Sequence, residues 1–254
     1  MENFSFKHLL SSLPRGEPLT TQWLRDEFGL DANHAARLGR SGWLTKLGRG
    51  VFLLPGDTLD MSASLALLAK QTPGLHVSGR TALAWRGVRH SIPTKERIAL
   101  WSDAPTKLPS WLTEHFPCSL QTTHIFDASM PASLGLAPLP TGRADLPVST
   151  QERAILELLS DAGKFQSLEE TRHLVECARN LRLSLFEELL SHLSRIKVAR
   201  LAADLSDSLE LPWKDVAKRH AARLGGATRW VAVTRTGERL DLKRRTDSAV
   251  ETPR

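Results

Sequence analysis

Between Leu19 and Ser41 the chain spells out two short helices whose stop and start signals almost touch. Thr20 offers a hydroxyl to the free amide protons of a helix opening at Thr21, and Leu19 before it and Leu24 at the fourth helical position have the spacing of a hydrophobic staple. Gly29 supplies the left-handed residue that ends this helix. Only Leu30 separates that stop from Asp31, whose carboxylate suits the first amides of a second helix running from Ala32 to about Gly42. Two short helices joined by a tight, glycine-containing turn are helix-turn-helix grammar. A further helix is expected over Asn3–Leu13, closed by Pro14 and Gly16.

The second helix splits into two faces at helical spacing. Ala35, Leu38, Gly39 and Gly42 form a small one that can pack closely, and Asn33, Arg37, Arg40 and Ser41 form a polar one. Arginine pairs with guanine and asparagine with adenine in the major groove, so the polar face can read bases, although such a face taken alone is more often just a solvated surface. Thr21 and Gln22 at the start of the first helix, and His34 in the second, join it as candidate DNA contacts.

The residues C-terminal to this helix favour readout. Trp43–Leu47 and Val51–Leu54 are strand-like runs joined by Gly48-Arg49-Gly50, which permits a tight turn with one cation at its tip and reads as a wing. Trp43 is expected to pack helix against wing. From Ala32 to Gly56 the cations are Arg37, Arg40, Lys46 and Arg49, with no acidic residue among them.

With 41% hydrophobic and 24% charged residues in 254, the chain has globular composition and length for one large domain or two ordinary ones, and its formal charge of +6 favours polyanionic partners. The N-terminus lacks the apolar core of a signal peptide and no stretch reaches the roughly 18 apolar residues of a membrane span, so a cytoplasmic protein without membrane partners is expected. Cys118 and Cys177 belong to no CxxC pair and are expected as core thiols.

Residues 1–56 read as one unit, closed by Leu54-Pro55-Gly56-Asp57. Beyond it, helical stretches at 61–71 and 79–87 and β-like runs at 97–101 and 121–126 give an α/β region in which Trp85, Trp101 and Trp111 are expected to anchor the core. Breakers crowd residues 128–149, so 130–149 is expected as a loop or linker. Helices at 153–160, 171–179 (behind the capping box Ser167–Glu170) and 183–194 come next, then a hairpin of Arg229–Val233 and Arg239–Leu242 around Thr236-Gly237-Glu238. The expected class is α+β: an N-terminal winged helix-turn-helix domain, 1–56, followed by a mixed α/β C-terminal domain with a helical part, 57–245, and a flexible tail, 246–254.

The wording of several segments resembles a known family. LPRGEPLTTQWLRDEFGLDANHAARLGRSGWLTKLGRGVFLLPG (13–56) is similar to the N-terminal domain of AbiEi-type antitoxins of type IV toxin–antitoxin systems, most tellingly in Gly42-Trp43 and in LGRGVFLLPG. VSGRTALAWRGVRHSIP (77–93), LPSWL (108–112) and STQERAILELL (149–159) resemble the family's C-terminal region in wording and order, so the likeness covers about residues 5–245. The resemblance implies a winged-helix autorepressor of its own operon whose C-terminal domain counters a nucleotidyltransferase-like toxin, without a stable complex. It places DNA contacts on the 33–41 helix face and on Lys46 and Arg49. The basic stretch after Val233 is left unaligned to the family's ending by this resemblance.

Other chemistry finds less support. His76, His90, His115 and His124 share no HExxH or His-Cys spacing, and neither a GxSxG elbow nor a P-loop is present, so no cofactor or metal is called for. Asp241 and Lys243, two apart on a probable strand, would suit a metal-dependent nuclease targeted by the winged helix, but no second carboxylate cluster stands near in sequence. The other alternative is a winged-helix interaction module without catalysis. Residues 214–245 carry a local charge of +7, which makes Lys218, Arg219, Arg223, Arg229, Arg239, Lys243 and Arg244 a possible second polyanion surface, or a plain basic one.

Overall fold

The computed structural model describes residues 13–89 and 97–225, and the backbone of 230–233 and 239–242. The expected helix over Asn3–Leu13, the hairpin loop 234–238 and the tail 246–254 lie outside the described residues, Leu13 excepted. In chain order the elements are β1 (Leu19–Thr20), α1 (Thr21–Phe28), α2 (Ala32–Arg40), β2 (Thr45–Gly48), β3 (Val51–Leu53), α3 (Met61–Gln71), β4 (His76–Val77), α4 (Gly79–Trp85), β5 (Ile98–Trp101) and α5 (Ser110–His115). They continue with β6 (Cys118–Gln121), β7 (Leu136–Ala137), β8 (Val148–Ser149), α6 (Gln151–Asp161), α7 (Leu168–Cys177), α8 (Leu183–Ser191), α9 (Ile196–Ser208), α10 (Lys214–Leu224), β9 (Trp230–Val233) and β10 (Arg239–Leu242). The class is mixed α and β, as expected. No described helix is long and apolar enough to cross a membrane.

The chain divides into two compact units, each built from separated segments: Met1–His76, Lys95–Thr122 and Pro138–Pro147 in the first, and Val77–Thr94, Thr123–Ala137 and Val148–Arg254 in the second.

In the first unit the caps fall where the sequence puts them. Thr20 Oγ1 accepts the Trp23 amide at 3.0 Å, and Asp31 Oδ1 accepts that of His34 at 2.8 Å. Gly29 ends α1 at φ 66°, a left-handed geometry that an L side chain resists. Helix α2 stops at Arg40, two residues earlier than expected, with Ser41 as its C-cap. The sequence assigns no strand to Leu19–Thr20, yet these residues pair antiparallel with β3 (Leu19↔Phe52, Thr20↔Val51) and complete a three-stranded sheet, β1-β3-β2. Leu13, Leu19, Leu24, Ala35, Leu44, Phe52 and Leu54 are buried together, so the staple pair is part of the core of the helix-turn-helix.

Further along the same unit, β5 and β6 pair in parallel from Ile98↔Cys118 to Trp101↔Gln121. The expected run at 121–126 is therefore displaced: Pro117 already accepts the Ile98 amide at 2.9 Å, so pairing starts there and is over by Ser102, whose amide donates to Gln121. Residues 138–147 are tied down by Arg143, which pairs with Glu17 and Asp145, and by Lys70, 2.9 Å from Asp145.

The second unit is built around α6, in which Glu152–Ser160 are all buried. Glu157 is satisfied on both oxygens: Oε2 accepts the Gly79 amide at 3.1 Å and the Ser149 hydroxyl at 2.8 Å, and Oε1 accepts Arg153 Nε at 2.9 Å. Two short strands, β7 and β8, occupy the stretch the sequence reads as loop; they pair antiparallel, and β8 also pairs in parallel with Val77 of β4. Arg86 braces them, donating to the carbonyls of Ser149, Ala137 and Val148. Helices α7 and α8 follow the sequence reading, including the Ser167 cap on the Glu170 amide at 3.1 Å, while α5, α9 and α10 are additions to it. The hairpin β9–β10 has the expected partners, with Asp241 opposite Val231.

The expectations for both cysteines and for one tryptophan fail. Cys177 is exposed and Cys118 only partly buried, with burial raising its thiol pKa to about 11, so these are not core thiols. Trp101 and Trp111 are buried as expected and Trp85 is only half-buried; among the described residues of the second unit the fully buried tryptophan is Trp213, edge-on to Phe186 with ring centroids 5.0 Å apart.

Candidate nucleic-acid interface

Amphipathic spacing decides how α2 sits. Ala35 is fully buried, and Gly39 lies so close to Phe52 that an added Cβ would stand 3.1 Å from its ring. Small residues thus let α2 press against the sheet, and Asn33, His34, Arg37 and Arg40 on the rest of its circumference are exposed, as is Ser41.

These side chains are not equally available. His34 turns back on its own cap, its Nδ1 3.0 Å from Asp31 Oδ1, and the His34 amide and ring together hold the Asp31 carboxyl below its usual range. The Ser41 hydroxyl donates to the carbonyls of Arg37 at 3.0 Å and Leu38 at 3.2 Å, finishing the helix. Among the described residues no ion pair engages Arg37 or Arg40, and both are exposed.

The wing is tighter than the sequence suggests. Gly48 belongs to β2 and faces Val51, so the turn is the two residues Arg49 and Gly50, with Gly50 at φ 70°. A register shift between Lys46 and Gly48 bends β2 just before it. Arg49 and Lys46 are exposed and, among the described residues, without ion pairs. The Gly50 carbonyl accepts the Thr21 amide at 2.9 Å, fastening the wing turn to the start of α1; Thr21 is half-buried there and Gln22 exposed. Trp43 is not the expected packing residue: it is 49% exposed, and Leu44, at 2%, fills the core in its place.

The basic helix α10 has a different character. Lys218 pairs with Asp207, Arg219 with Glu187 at 3.0 Å, and Arg223 donates to the carbonyls of Leu190 and Ser191, so these three cations are engaged within their own unit. Arg229, Lys243 and Arg244 lie outside the described residues, as do the side chains of Arg239 and Asp241. Among the described residues no group of three or more His, Cys, Asp or Glu side chains is placed to hold a metal.

Two family models account for nearly the whole sequence. Residues 2–94 match a transcriptional regulator, the AbiEi antitoxin N-terminal domain, and residues 95–244 match a transcriptional regulator, the AbiEi antitoxin of type IV toxin–antitoxin systems. The chain belongs to the AbiEi antitoxin family. The fold agrees with a solved structure: the RV2827C protein from Mycobacterium tuberculosis is 20% identical, with a TM-score of 0.59 over 87% of this chain and 80% of that one. No curated protein matches the sequence. As an AbiEi antitoxin the chain is a regulator of a type IV system, and the winged helix-turn-helix is the element in it suited to a regulator's DNA contacts.

Proposed function

We propose that this AbiEi antitoxin represses its own operon by binding operator DNA through residues 1–56, while residues 57–245 counter a nucleotidyltransferase-like toxin in the cytoplasm. The observation that carries the DNA reading is the exposure of Arg37 and Arg40, unpaired among the described residues, on the face of α2 opposite the buried Ala35, in a domain whose wing turn carries an equally unpaired Arg49. In this reading α2 enters the major groove and Asn33, Arg37 and Arg40 meet base edges, with Ser41 at the helix end. Lys46 and Arg49 neutralise phosphates. Thr21, Gln22 and His34 flank the backbone, His34 doing so once DNA displaces it from Asp31.

The basic residues on α10 play no part in this, since their pairing within the unit already satisfies them. Electrophoretic shift with the operon's upstream region tests the proposal. A specific complex that weakens steeply with salt supports it, and undiminished binding by an Arg37→Ala, Arg40→Ala double variant overturns the assignment of α2. A promoter fusion repressed by the chain in trans tests autorepression, and rescue of growth in cells expressing the neighbouring toxin gene tests the antitoxin half.

A further inference from the structure

The turn that follows α2 leaves one large side chain outside the fold. Gly42, at φ 79°, redirects the backbone so that the amides of Trp43 and Leu44 both donate to the Leu38 carbonyl, at 3.0 and 3.2 Å. From there Leu44 enters the core at 2% exposure and Trp43 stays outside at 49%. Trp23, Phe28, Leu30 and Leu38 are the partly buried apolar residues packed on the core of the helix-turn-helix, and Trp43 is not one of them. Among the described residues it is the one exposed large apolar side chain of the first unit.

Its surroundings along the chain are polar and cationic. Arg40, Ser41 and Gly42 before it and Thr45 and Lys46 after it are exposed, and no acidic residue occurs between Ala32 and Gly56. An exposed apolar residue is ordinary by itself. Here it is an indole, which joins a broad apolar body to a single N–H that donates and cannot accept. A sugar-phosphate strand offers the complement, with acceptor oxygens on each phosphate beside the carbon surface of deoxyribose.

Charge and position decide which occupant fits. A second copy of this chain meeting Trp43 about a two-fold axis would bring Arg40 and Lys46 against themselves, which disfavours self-association. The major groove is about 12 Å wide and takes the recognition helix itself, so the chain leaving the helix end meets the strand on the rim of the groove. Trp43 lies at that exit, between Ser41, the C-cap of α2, and Lys46 of β2. We propose that Trp43 is a backbone contact of the DNA-binding domain: its indole rests on a deoxyribose at the groove rim and its Nε1–H donates to the adjoining phosphate. This rests on the operator-binding reading above.

The test is electrophoretic shift of the purified full chain on the operon's upstream region and on a scrambled duplex of equal length, over a salt series. Trp43→Ala is expected to weaken both complexes about tenfold, with thermal midpoint and salt slope unchanged, because no phosphate-neutralising cation is lost. Trp43→Phe, which keeps an apolar ring and lacks the N–H, is expected to lose about threefold. A methylphosphonate scan of the upstream duplex should then find one position that costs the wild-type chain affinity and costs Trp43→Phe nothing further. Undiminished binding by Trp43→Ala overturns the contact and leaves the operator reading standing, whereas a wild-type chain that shifts neither duplex overturns both. A loss confined to the upstream duplex makes the indole a base reader, full affinity in Trp43→Phe makes it a stacking ring, and a changed oligomeric state in Trp43→Ala makes it a protein contact. Each of these overturns the proposal, as does a loss that follows a lowered thermal midpoint in both variants.

Discussion

Gly48 of the wing strand lies against the indole of Trp111, so near that a Cβ on Gly48 would stand 2.8 Å from Trp111 Cδ1. The indole is 5% exposed and cannot swing clear, so an alanine here must move the strand or the helix behind it. Gly48→Ala is expected to cost about 1–3 kcal/mol of stability and to weaken DNA binding although no charge is touched. Trp111→Leu in the same chain should recover part of the loss. Thermal unfolding of the two single variants and the double variant gives the coupling directly; strictly additive losses would show that the contact does not hold the wing.

The cations of α2 and of the wing should fail differently. Arg37→Ala or Arg40→Ala is expected to cost about 1–3 kcal/mol of operator affinity and to relax preference at one base pair. Lys46→Ala should weaken all duplexes alike and lower the salt slope by about one, as expected for one lost phosphate contact. Shift assays over a salt series, on operator and on scrambled duplex, separate these outcomes.

Removing the cap of α1 offers a way to perturb the fold without touching a charge. Thr20→Ala leaves the Trp23 amide without its 3.0 Å partner and should cost about 1 kcal/mol, read as a lower thermal midpoint. Thr20→Ser, which keeps the hydroxyl, should restore most of it.

How far the sequence reaches depends on how local each signal is. The Thr20, Asp31 and Ser167 caps and the Gly29 stop depend on groups within three or four residues, and sequence alone places them. Strand β1 exists only because Val51 and Phe52 come alongside it, and β6 starts at Cys118 because β5 sets the register, so neither leaves a local trace. Tryptophan roles mislead for the same reason. Trp43 and Leu44 are both apolar and adjacent, and only the direction of the chain leaving Gly42 decides that Leu44 is buried. Exposure of Arg37 and Arg40 is legible from helical spacing, whereas His34's return to Asp31 and the pairing of Lys218 and Arg219 require coordinates.

Two carboxyls of α6 should give stability opposite dependences on pH. Burial alone would raise the pKa of Glu152, but the Arg182 side chain and amide outweigh it and hold the group at about 2, against 4.5 in an ordinary glutamate. Its contribution is therefore present above about pH 4.5 and fades as pH falls toward 2. Asp161 has its pKa raised from 3.8 to about 7 by burial and by Glu157, so the stability tied to its neutral form is complete below pH 3.8 and is lost as pH rises through 7. Glu152→Gln should accordingly destabilise the chain at pH 7 and flatten its acid limb, while Asp161→Asn should raise stability at pH 8 and change it little at pH 4. Denaturant titrations at these pH values measure both. An Asp161→Asn variant stabilised equally at pH 4 and pH 8 would show that the carboxyl already ionises in the ordinary range.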